Sequence, residues 1–94
     1  MDATLAPDDV PLMPSRYRLQ WEDAQKAYVI LYPEGMIKLS ASAGEIMKRV
    51  DGGASIEKII SDLEQAFPGA DLRNDVLEFF NAAHARGWIE IARR

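Results

Sequence analysis

Between Tyr17 and Glu22 the chain alternates, with Tyr17, Leu19 and Trp21 apolar and Arg18, Gln20 and Glu22 polar. That period of two predicts a strand with one buried face. After a polar turn at 23–26, the segment AYVILY (27–32) is apolar at both parities and rich in β-branched and aromatic residues. It predicts a central strand covered on both sides. PEG at 33–35 reverses the chain, with Pro33 suited to the first corner of a type I turn and Gly35 to a position of positive φ. MIKLS (36–40) supplies a third strand and completes an antiparallel meander.

The period then changes from two to that of a helix. Ser42 followed by Glu45 has the spacing of a capping box, so a helix is expected from Ala43, with Ile46, Met47 and Val50 on one face and Gly52–Gly53 at its end. Ser55 is a second cap. Behind it Ile56, Ile59, Ile60, Leu63 and Phe67 recur at helical spacing until the PG at 68–69. Asp71 suits the cap of a third helix that reaches Arg86 and is closed by Gly87, with Asp75 near its positive end. This helix has one apolar stripe of Leu72, Val76, Phe79 and Ala83 and a second of Leu77 and Phe80. One stripe suffices for a core. WIEI at 88–91 reads as a short strand or extended tail.

The expected fold class is therefore α+β and winged-helix-like, a three-stranded antiparallel meander followed by three α-helices. Residues 1–15, with Pro7, Pro11 and Pro14, read as an extended arm whose docking is left open. Residues 16–94 form the domain. A chain of 94 residues has material for one core.

Composition narrows the function. Fifteen acidic against eleven basic side chains give a net charge of −4, which repels polyanions and argues against nucleic acid. No apolar run is long enough to cross a bilayer, and Asp2 stands where an export signal would place a cation. The absence of cysteine removes thiolate chemistry and disulfides and fits the cytoplasm. His84 is the single histidine, so no histidine–cysteine metal set exists. Asp8/Asp9 and Glu22/Asp23 sit in the arm and a turn, where paired carboxylates are solvated rather than held for acid–base catalysis. The glycines form no phosphate-cradling pattern. No catalytic residue, cofactor site or metal site is expected.

What remains is an edge strand and spare apolar helix surface. The strand 36–40 can accept an extended chain through its unpaired amides and carbonyls; alternatively, Lys38 is a gatekeeper charge and both stripes of the third helix are core. A degenerate winged-helix nucleic-acid binder is the second reading, opposed by Asp71, Asp75 and Glu78 on the helix that would enter the groove. A small structural subunit is the third.

YVILYPEGMIKLS, SAGEIM, the isoleucine-rich helix ending at Phe67, VLEFF and RGWIEI together resemble the PqqD family of pyrroloquinoline quinone biosynthesis, over residues 16–92 or so. The resemblance implies a non-enzymatic peptide chaperone and RiPP recognition element. Such a protein binds the precursor peptide PqqA as an added strand between its third strand and third helix, and presents it to PqqE, a radical S-adenosylmethionine enzyme that crosslinks a glutamate to a tyrosine. Carried over by position, Met36, Ile37, Lys38, Leu39 and Ser40 form the pairing strand, and Val76, Leu77, Phe80 and Ala83 form the facing helix surface. Which stripe of the helix lines the groove stays open. The sequence does not locate the surface that would touch the enzyme, the arm and the IARR end being candidates, and two copies could pair through the same edge, leaving monomer and dimer both open.

Overall fold

The computed structural model describes residues 5–92. In chain order the elements are β1 (Pro11–Leu12), β2 (Arg18–Glu22), β3 (Ala27–Tyr32), β4 (Gly35–Lys38), α1 (Ala41–Met47), α2 (Ile56–Ala66), α3 (Arg73–Ala85) and β5 (Glu90–Ile91). The expected α+β architecture is present: β2, β3 and β4 form an antiparallel sheet with β3 in the centre, and three helices follow. Val29 and Ile30 on β3 are both completely buried, as a strand apolar at both parities requires. Ile30 joins Leu39, Met47, Ile59, Phe80 and Ile89 in the core between sheet and helices. No polar or charged residue is buried among the described residues.

Several local expectations are corrected. Gly35 is not among the residues with positive φ. It pairs with Tyr32 across the hairpin, and the Tyr32 hydroxyl lies 3.3 Å from where a Cβ would stand, so close approach rather than φ is what a side chain here would violate. Helix α1 starts at Ala41, not Ala43, because Ser40 has the extended backbone of a cap and its hydroxyl accepts from the Ala43 amide at 3.1 Å. Ser42 is thus inside the helix. Glu45 reaches forward to Arg49 (3.0 Å) and Lys48 (3.3 Å), two cations one turn on, instead of back to a cap amide. The helix ends at Met47, ahead of Gly52. Between them Asp51 accepts from the Gly53 and Ala54 amides at 2.8 and 2.9 Å, which shapes the turn and holds the Asp51 carboxyl below its ordinary range. Ser55 caps α2 as expected, accepting from Lys58.

Asp71 does not cap α3. Leu72 occupies that position without a side-chain cap, and its amide donates to Glu64 of α2 at 3.1 Å. One residue on, the Arg73 guanidinium forks onto both oxygens of Glu57 at 2.7 and 3.2 Å, joining α3 to the start of α2. Phe67 falls just past α2 and is 45% exposed.

The question of whether the N-terminal segment docks is answered for residues 5–14. Leu5 is buried and its amide donates to Asn81 of α3 at 2.9 Å. The carbonyls of Pro7 and Asp9 accept from Glu57 and Ile56, satisfying the first amides of α2. Pro11–Leu12 then pairs antiparallel with Glu90–Ile91, so the C-terminal strand joins this segment and not the meander. Residues 1–4 of the arm and the terminal Arg93 and Arg94 of the IARR end, both candidates for contact with the enzyme, lie outside the described residues.

Candidate functional site

The hydrogen-bond parity of β4 decides which of its backbone groups face outward. Residues 35–38 pair with 32–29, and the Leu39 amide donates to the Tyr28 carbonyl at 2.9 Å. Hydrogen-bonded and non-bonded pairs alternate in an antiparallel ladder. Ile37, like Leu39, therefore turns its amide and carbonyl toward β3, whereas Met36 and Lys38 turn theirs away from it. No strand among the described residues pairs with that outer side. The side chains alternate as well: Ile37 and Leu39 face the core, with Leu39 only 4% exposed, while Met36 and Lys38 are exposed on the other face.

Helix α3 lies beside the strand's end with two different faces. Val76, Phe80 and Ala83 are buried in the core. Phe79, Ala82 and Arg86, spaced by three and four residues, form the adjoining stripe. Between that stripe and the β4–α1 connection runs a groove of two chambers. The smaller, about 300 Å³, is bounded by Lys38, Leu39 and Ser40 on one side and Phe79, Ala82, Ala83, Arg86 and Trp88 on the other. The larger, about 660 Å³, continues among α1, α2 and α3, over Ile46, Leu63, Phe67, Leu72 and Val76. Ser40, Ala43 and Phe79 line both chambers, so the two adjoin.

The charges are unequally placed along this groove. Lys38 and Arg86 both line the smaller chamber, and neither forms an ion pair among the described residues. The Arg86 guanidinium lies 5.6 Å from the centre of the Trp88 ring, which orients it without neutralising it. At the larger chamber Glu45 is already engaged: the hydrogen bond from Arg49 lowers its pKa most, burial opposes it, and the hydrogen bond and charge of Lys48 lower it further. No group of three or more histidine, cysteine or acidic residues that could hold a metal exists among the described residues.

Of the residues singled out from sequence, Lys38, Leu39 and Ser40 border the smaller chamber, together with Ala83. Val76 contributes to the larger one. Met36 is 47% exposed on the edge strand, and Ile37 packs against the core. Leu77 and Phe80 line neither chamber, and Phe80 has no exposed surface. In the sequence Phe79 shows only as one position of an apolar stripe, and Phe67, Ala82, Arg86 and Trp88 lie outside the residues it singles out for the groove. The spacing 79–82–86 is a helical signal, but with alanine at its centre it carries little hydrophobic contrast.

Residues 27–89 match the family model described as Coenzyme PQQ synthesis protein D (PqqD). The chain is 47% identical over 85 residues to the PqqA binding protein of Azotobacter vinelandii, covering 89% of this chain and 92% of that one. It is 52% identical over 77 residues to the PqqA binding protein of Pseudomonas fluorescens, covering 81% and 85% respectively. The solution structure of the PqqD truncation of Methylobacterium extorquens PqqCD, described as a functional and stand-alone RiPP recognition element, superposes with a TM-score of 0.78 at 28% identity, over 96% of this chain and 99% of that one.

Proposed function

Because the chain belongs to the PqqD family of coenzyme PQQ synthesis, we propose that it is a non-catalytic peptide chaperone. It takes up the precursor peptide PqqA by strand addition along β4 and presents it to the radical S-adenosylmethionine enzyme PqqE in the cytoplasm. The observation that carries this reading is the outer side of β4: Met36 and Lys38 direct their main-chain groups away from β3, beside a groove walled by α3. Backbone bonds to such an edge supply affinity, and the adjoining chambers supply selectivity. A second copy pairing through the same edge would cover the groove, so self-association and peptide uptake compete.

Titration of the isotopically labelled chain with PqqA, followed by backbone amide shifts, tests the proposal. Shifts concentrated at residues 36–40 and along 79–88 are expected, with none of comparable size from an unrelated acidic peptide of equal length. Equal responses to both peptides, or shifts confined to the β2 edge, would overturn it.

A further inference from the structure

The larger chamber lies beyond the end of β4, where Ser40 leaves the sheet and opens α1, so a peptide paired with the strand must leave the ladder before reaching it. Its walls are mainly apolar, and Phe67 stands at its rim 45% exposed although most large apolar side chains are drawn into the core. Exposed apolar surface gathered around a concavity calls for an apolar guest group. At the opposite end Lys38 and Arg86 are two cations without an ion-pair partner among the described residues, in a chain whose net charge is −4. Local positive charge against an acidic background calls for an anionic group.

We propose that the groove reads its peptide at two points: a bulky apolar side chain anchors in the chamber at Phe67, Leu72 and Val76, and a carboxylate pairs with Lys38 and Arg86. This deepens the peptide-binding reading and rests on it. The helix alongside supplies the spacing. Val76 on α3 and Arg86, which caps the helix C-terminus, are ten positions apart, or about 15 Å along the axis at ~1.5 Å per residue. An extended guest advances ~3.3 Å per residue. The carboxylate and the apolar anchor are therefore about four to five residues apart in the peptide. Strand pairing alone, being made by the main chain, imposes no such spacing.

The test is a calorimetric titration of the full chain with PqqA and its single-alanine variants, against two variants that fill the chamber without touching the ladder. Ala70→Trp and Ala41→Trp are suitable because both positions are exposed and line the larger chamber. Either should weaken PqqA roughly tenfold or more, the scale of losing one bulky buried side chain. One apolar peptide position should become insensitive to alanine in these variants. Arg86→Ala should weaken binding about two- to fivefold and silence one acidic position, about four to five residues from the apolar one. Amide spectra of each variant establish that it is folded, and either tryptophan variant alone suffices. Normal PqqA affinity in both tryptophan variants, or silenced positions that are adjacent or more than about eight residues apart, would overturn the two-point proposal while leaving strand addition intact. If the wild-type chain does not take up PqqA at all, the peptide reading itself fails and this proposal with it.

Discussion

Phe79 and Phe80 are neighbours on α3, their rings 5.6 Å apart at an interplanar angle of 71°. Phe80 has no exposed surface and touches neither chamber, whereas Phe79 lines both. One face of the helix thus holds the domain together, and the adjoining face forms the wall of a groove. A helix rotates ~100° per residue, so consecutive identical side chains fall into different environments. The same division recurs on β4, where Ile37 bonds to β3 and Met36 turns its backbone outward.

The comparison breaks first at Phe80. Phe80→Ala should cost about 3–5 kcal/mol of folding stability, a large share of the roughly 5–15 kcal/mol that such a domain has. Denaturant unfolding measures it, and a loss below about 1 kcal/mol would mean that this face is not core. Ile37→Pro comes next. It deletes an amide that donates to β3 and leaves a carbonyl unpaired, a loss of about 1–3 kcal/mol. Met36→Pro, one residue away, deletes an amide that faces outward, and edge strands accept proline there. It should leave the unfolding transition nearly unchanged while weakening PqqA about two- to tenfold, the value of one hydrogen bond. If the two proline variants behave alike, the hydrogen-bond parity assigned to β4 is wrong.

Phe79→Ala sharpens the contrast in the other direction. Stability should fall only by about 0.5–1.5 kcal/mol, chiefly for the lost edge-to-face contact with Phe80. PqqA binding should fall by roughly tenfold, since both chambers lose a wall. A variant that is strongly unfolded yet binds normally under native conditions would reverse the roles of the two rings.

The smallest effect concerns Glu45, which borders the larger chamber. Arg49 and Lys48 lower its pKa from the ordinary 4.5. A depressed carboxylate stabilises the fold above its unfolded value, and that contribution disappears as pH falls through the lower, folded value. Glu45→Gln should therefore unfold slightly earlier than wild type at neutral pH, and the two midpoints should converge below 4.5. Convergence already between about pH 7 and 5 would contradict the pairing with Arg49.

Much of the framework was legible in the sequence because it rests on periodicity. The doubly apolar 27–32 and the isoleucine spacing at 56–63 each state which face is buried, whereas the alternation at 17–22 marks the strand but not its buried face, since Trp21 is 48% exposed. The groove was less legible. Leu72, Val76, Phe79 and Ala83 form a plausible stripe in one dimension, yet the helix packs with Val76, Phe80 and Ala83 inward, a choice made by the neighbouring elements. Ser40 reads as strand and Ser42 as cap in the sequence, because both serines offer a hydroxyl ahead of the helix and it is the backbone of Ser40 that places its hydroxyl on the Ala43 amide. The docking of residues 5–14 had no periodic signature, because the carbonyls of Pro7 and Asp9 that cap α2 belong to the main chain, which every residue shares.

Hydrogen exchange at single-residue resolution along β4, with and without PqqA, is the most direct measurement. In the free chain the amides of Ile37 and Leu39 should exchange slowly and those of Met36 and Lys38 fast; on adding PqqA, Met36 and Lys38 alone should gain marked protection. Protection of Met36 and Lys38 already present without peptide, or exchange at both unchanged under saturating PqqA, would contradict the claim that this edge receives the guest strand.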